Sequence, residues 1–192
     1  MLLNPGQDEL LDHLFYGKPA KTGIGRRSSE TAKERLLVNG DGKLYMPSRY
    51  VLAALVNAGK QVQHKGKMPL STEQSSLVPG LLDLVETELV LTDHDGSEAK
   101  WHPTKFRCWT NSRAHHESLV VRPQFRRWRT VVRVQFNRGE IHEDKVRQLF
   151  ELAGRSVGLG DFRVGQNARS RFGRFVVESW ESAKASLELD AA

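Results

Sequence analysis

Cysteine is nearly missing from this chain: Cys108 stands alone among 192 residues. One thiol excludes an intramolecular disulfide and any zinc site built on cysteine pairs, and it fits a reducing compartment. Long apolar runs are missing as well, with nothing near the roughly 18 residues that a membrane span requires. The opening MLLNPGQDELLDHL sets no basic stretch before an apolar one, so no secretory signal is expected. There is no G-x-x-x-x-G-K-[ST] and no G-x-G-x-x-G behind a strand, which excludes the ordinary nucleotide-binding loops. No H-x-x-x-H or H-E-x-x-H occurs among the seven histidines, which leaves a histidine metal site without support.

What is present suits one domain with a core of its own: 39% of residues are hydrophobic and 27% charged. The net charge of +6 is unevenly spread. Residues 70–99 carry seven acids and no Lys or Arg, whereas residues 100–138 carry ten Lys or Arg and Glu117 alone. A concentrated basic stretch between acidic ones is the expected footprint of a polyanion binder, or else a solvated arginine-rich surface.

Spacing along the chain predicts the elements. Residues 7–16 and 29–37 read as short helices, and 17–29 as a glycine- and lysine/arginine-bearing loop. Asn39-Gly40-Asp41-Gly42 turns into a short strand at Lys43–Met46. Ser48 then reads as the N-cap of a helix over 50–63, with Val51, Leu52, Leu55 and Val62 on one side. Val85–Thr92 reads as a strand, Asp93–Gly96 as a turn, and 101–109 as a returning strand or long loop. Leu119–Arg122 reads as a strand ended by Pro123. Residues 129–137 alternate cleanly, with Thr130, Val132, Val134 and Phe136 on one face. A helix over 142–153 and a last strand over 172–180 follow, then a short helix or frayed end. Two strand–helix–strand units of this kind predict an α+β, ferredoxin-like sandwich: an antiparallel sheet, two helices, and a polar, acidic hairpin insertion at about 66–112.

Between the last helix and the last strand runs Gly154-Arg155-Ser156-Val157-Gly158-Leu159-Gly160-Asp161-Phe162-Arg163, followed by Arg171-Phe172-Gly173-Arg174-Phe175. Glycines free backbone N–H groups to point outward and arginines add charge, a combination that can cradle phosphates or simply make a tight connection. The run AGRSVGLGDFR, then RFGRFVV, resembles the C-terminal signature of the RAMP superfamily. These are the ferredoxin-like, RRM-related backbone and processing subunits of CRISPR effector complexes. GKLYMPSRYVLAALVNAGK at 42–60 and VVRPQFRRWRTVVRVQF at 120–136 are similar to phage- and prophage-encoded members, and the likeness covers about 40–66 and 113–180.

The resemblance implies a cytoplasmic protein of a bacterial or phage-infected cell. It would bind single-stranded RNA or DNA, RNA in preference, within a homo-oligomer or larger nucleoprotein assembly, with no cofactor and no membrane. The chain departs from the pattern at its first strand, for which only Met1–Asn4 precede the polar turn at Pro5-Gly6. That strand is then very short, or the chain opens inside it, or Leu44–Met46 does its work.

The residues expected at a nucleic-acid face are Lys105, Arg107, Arg113, Arg122, Arg126, Arg127, Arg129, Arg155, Gly158, Gly160, Arg163, Arg169 and Arg171. Trp101, Phe106, Trp109, Phe125 and Trp128 are interleaved with them, and bases stack on aromatic faces. They serve equally well as core or interface anchors. His115 and His116 beside Arg113 offer the acid–base pair of a metal-independent endoribonuclease, the alternative to a non-enzymatic binder. A third reading is a phage factor that docks on a host nucleoprotein complex. Asp93, Asp95 and Glu98 read as a hairpin tip more readily than as a cation site.

Overall fold

The computed structural model describes residues 28–109, 117–164 and 172–183. In chain order the described elements are α1 (Ser28–Lys33), β1 (Tyr45–Pro47), α2 (Ser48–Ala58), α3 (Val78–Leu81), β2 (Leu82–Leu84), β3 (Glu88–Val90), β4 (Trp101–Trp109), β5 (Glu117–Phe125), β6 (Val134–Phe136) and α4 (Glu143–Leu152). The fold is α+β with small antiparallel sheets.

The segment 82–92 is the middle of a three-strand arrangement. Extended backbone turns successive residues toward opposite edges. Leu91 N–H donates to Leu44 O at 2.8 Å, on the side of β1. Thr92 N–H instead donates to Arg129 O at 2.9 Å, and Arg129 N–H returns to Thr92 O at 2.6 Å. Further along the same edge β2 pairs with β6, Asp83 opposite Gln135. On the other edge β1 pairs with β3, Met46 opposite Leu89. Leu44–Met46 therefore lies on the edge of 82–92 away from β6.

Helix α2 buries Val51, Ala54, Leu55 and Ala58, the spacing of one helical stripe. Ser48 is not its N-cap: Pro47 holds that position, and the Ser48 N–H donates to Thr87 O at 2.9 Å. The α-helix ends at Ala58, and a 3₁₀ turn carries it to Gln61. Helix α1 likewise ends at Lys33 rather than Leu37. Helix α4 keeps Glu143 and Asp144 in its first turn, where carboxylates suit the helix dipole, and buries Val146, Leu149 and Phe150. It runs on into a π-turn at Ala153–Val157.

Pro123 does not end its strand. It lies opposite Pro103 in the β4–β5 ribbon, which continues to Phe125. In a two-stranded ribbon each strand has an outer edge, where a missing N–H breaks no ladder. The stretch 66–112, expected as an insertion, supplies Leu70, Val78, Leu82, Leu89 and Leu91 to the core. The long hairpin of the structure is β4–β5, from 101 to 125. Of the two expected strands at 129–137 and 172–180, only Val134–Phe136 forms a ladder among the described residues; Arg129 and Phe172 make isolated bridges. The helix expected at 7–16 and the end beyond Ala183 lie outside the described residues.

Candidate nucleic-acid interface

Arginines gather around a cavity of about 3010 Å³. One wall is the stretch 126–138, the other is 174–183, and Glu143 and Phe150 of α4 contribute to the lining. Because 129–136 alternates, Arg129, Val131, Arg133 and Gln135 stand exposed while Trp128, Val132, Val134 and Phe136 pack against the core. Arg126, Arg127, Arg155 and Arg174 line the same cavity.

Acidic groups answer much of this charge. Arg127 Nη2 lies 3.1 Å from Asp93 Oδ1, Arg129 Nη2 lies 2.7 Å from Glu178 Oε2, and Arg133 pairs with Glu86. Two of those three carboxylates come from the acidic stretch 70–99, which the fold lays beside the basic one. Burial pushes the Glu86 carboxyl up, yet the Arg133 guanidinium and backbone N–H hold it below its ordinary value. Arg126, Arg155 and Arg174 make no ion pair with any described residue and are exposed. These three are the cations left to a polyanion on this face.

A second group of expected residues lies apart, on the β4–β5 hairpin and the glycine loop. Lys105 is exposed on β4, opposite Val121. Arg122 is largely buried, its Nε 2.9 Å from Asp161 Oδ2 and its Nη1 donating to Val121 O at 3.1 Å. Arg163 Nη1 donates to Gly160 O at 3.2 Å. Arg107 occupies a β4 position opposite Leu119. Its side chain, and Arg113, His115, His116, Arg169 and Arg171 altogether, lie outside the described residues.

The glycine loop spends its freedom on packing. Gly158 (φ 77°) donates its N–H to Ala153 O at 2.7 Å, and Leu159 N–H donates to Gly173 O at 2.9 Å. A Cβ on Gly173 would sit 2.1 Å from Leu159 O, and one on Gly154 would sit 2.2 Å from Phe175 O. Glycine here lets the loop and the last segment touch backbone to backbone, and the Gly158 and Leu159 amides are spent inside the protein. Gly160 (φ 78°) turns the chain toward Asp161 and Arg122.

Comparisons with protein-family models, curated proteins and solved structures return no match to this chain. The aromatic side chains are mostly occupied inside the molecule. Phe125 is fully buried, Phe106 stacks on Phe162 at 4.7 Å, Trp128 packs edge-on to Phe175 at 6.4 Å, and Trp101 packs against the core. Trp109's side chain lies outside the described residues. Asp93–Glu98 is a hairpin tip: Thr92 bridges to Glu98, and Asp95 Oδ1 accepts the Ser97 N–H and hydroxyl. Those Ser97 bonds hold the Asp95 carboxyl low. Among the described residues no three His, Cys, Asp or Glu side chains gather as a metal site. Arg133 and Arg174 were missing from the expected face. The period-two pattern that placed Arg129 outward carries the signal for Arg133, while Arg174 stood in the sequence among the arginines of the glycine-rich segment and the fold sets it on the cavity with Arg126 and Arg155.

Proposed function

We propose that this protein is a non-enzymatic, RAMP-like subunit that binds single-stranded nucleic acid, RNA in preference to DNA, within a repeating assembly. We also propose a ferredoxin-like relation of its two strand–helix–strand halves. The observation that supports the binding reading best is the unanswered charge at one opening: Arg126, Arg155 and Arg174, exposed and without carboxylate partners among the described residues. A polyanion gains most from cations that are not already paired, because no internal ion pair has to be broken to meet a phosphate.

The test is binding of a labelled single-stranded RNA 20-mer across a salt series. Each single-strand phosphate contact contributes about −0.7 to the slope of log K against log salt. Replacing Arg126, Arg155 and Arg174 together by Ala should flatten the slope by about 2. Arg122→Ala should leave it unchanged, since that guanidinium is committed to Asp161. A triple variant with the wild-type slope removes this face from the binding site.

A further inference from the structure

Three carboxylates answer the arginines of the cavity, and they are not held alike. Glu86 and Asp93 each accept a backbone N–H, from Arg133 at 3.0 Å and from His94 at 2.6 Å, and their side chains are only 23% and 11% exposed. Glu178 is 41% exposed and is met by side chains alone among the described residues. Arg129 Nη2 lies 2.7 Å from its Oε2, and His94 Nδ1 lies 3.4 Å from its Oε1. One oxygen faces a guanidinium and the other an imidazole.

Both of those groups are placed without help from Glu178. Arg129 N–H donates to Thr92 O at 2.6 Å, Arg129 O accepts the Thr92 N–H at 2.9 Å, and Arg129 Nη1 donates to His94 O at 3.3 Å. His94 stands in the hairpin tip, which Asp93 N–H closes by donating to Ser97 O at 2.7 Å. The segment that carries Glu178 is anchored elsewhere, at Gly173 and Phe175 on one side and at Trp180 on the other. A rotamer change of one half-exposed side chain therefore vacates the seat and leaves guanidinium and imidazole side by side.

Two donors converging on two oxygens of one anion is an arrangement that carboxylate and phosphate share. The neighbourhood favours the phosphate of a chain. Arg126 and Arg174 line the same cavity without an ion pair to any described residue, and exposure alternates along 174–178, so Arg174 and Glu178 share an outward face. Exchanging one exposed carboxylate for one phosphate is close to balanced, because exposed ion pairs contribute little. Further phosphates tethered to the first and meeting Arg126 and Arg174 tip that balance.

We propose that the seat between Arg129 and His94 is a phosphate subsite, which Glu178 fills as an internal counter-ion until a phosphate displaces it. The proposal rests on the nucleic-acid reading only for the source of the phosphate, a phosphodiester of the bound strand. Inorganic phosphate and the labelled RNA 20-mer test it separately on the full chain. Glu178→Gln should bind each of them about three- to fivefold more tightly than the wild type, the phosphate titration being read at the His94 imidazole resonance. Glu181→Gln removes the same charge three residues along and should leave both affinities unchanged. Arg129→Ala should flatten the salt slope of RNA binding by about 0.7, because Arg129 meets a phosphate only when Glu178 yields.

Equal gains from Glu178→Gln and Glu181→Gln overturn the proposal, as does no gain with either probe. An Arg129→Ala chain that binds RNA with the wild-type slope also overturns it. RNA that binds no variant, while phosphate still prefers Glu178→Gln, keeps the seat and removes the nucleic-acid reading. A flattened slope in the Arg126, Arg155 and Arg174 variant, with Glu178→Gln inert, keeps that reading and removes the seat.

Discussion

Two extended segments of similar composition meet different fates. Residues 82–92 have a neighbour along both edges, β1 on one and the 129–136 segment on the other. Residues 174–181 are as rich in β-formers, with Phe175, Val176, Val177 and Trp180, yet they form no ladder with any described residue. The last segment is held instead by its ends and one face. Gly173 and Phe175 bond to the 153–159 loop, and Trp180 Nε1 donates to Glu143 Oε1 at 2.8 Å. Alternation makes a segment extended and decides which side chains go inward, whereas a ladder needs a second backbone at the right distance.

The strongest way to break the comparison is to loosen the anchored end. Gly173→Ala forces a side chain into a φ of 77° and against Leu159 O, so it should cost roughly 2–4 kcal/mol in chemical denaturation. Gly66→Ala makes the control. It shares the positive φ, but nothing lies within 4 Å of its Cβ, so about 1 kcal/mol is expected. Equal costs at the two positions would show that close backbone approach at Gly173 contributes nothing.

A smaller effect is expected at the hairpin. Arg122→Ala leaves Asp161 without its guanidinium, and that carboxylate is only 25% exposed. Loss of one charge-assisted pair, discounted for the remaining exposure, should cost about 1–2 kcal/mol. The salt dependence of RNA binding should not move, which separates an internal arginine from one on the cavity rim.

The smallest effect concerns the far anchor of the last segment. The Ser182 hydroxyl and the Trp180 indole N–H hold the Glu143 carboxyl below its ordinary value, and Arg138 adds to this. A carboxyl depressed in the folded state stabilises fully above its unfolded pKa. That contribution disappears as pH falls through the lower folded value. The Trp180 indole N–H resonance should therefore shift in acid, below the usual glutamate range of about 4.3. Glu143→Gln should abolish that shift, and a wild-type resonance constant down to unfolding would show that Glu143 does not hold this end.

Much of the fold was legible in the sequence. Val51 and Leu55 announce α2, although the buried stripe is completed by Ala54 and Ala58 rather than by Leu52; Val146, Leu149 and Phe150 announce α4, and the alternation at 129–137 assigned its inward and outward faces. These features depend on period alone, which is local. The arginine-rich site was legible as composition and only partly as a surface. Arg126, Arg155 and Arg174 line the cavity without an ion pair to any described residue, whereas Arg122 is drawn into a pair with an aspartate 39 positions away. Such pairing depends on which segments the fold brings together, and neither charge counts nor spacing contain that distance.

The same reasoning divides the glycines and the sheet. Sequence determined that 154–163 and 172–175 would hold conformations other residues resist. Tertiary structure decided that this freedom serves contact between two backbones. Sequence marked 129–137 and 172–180 as strands. Only the packed fold decided which of their residues enter a ladder, because hydrogen bonds between strands join residues far apart in the chain, and no local pattern specifies them.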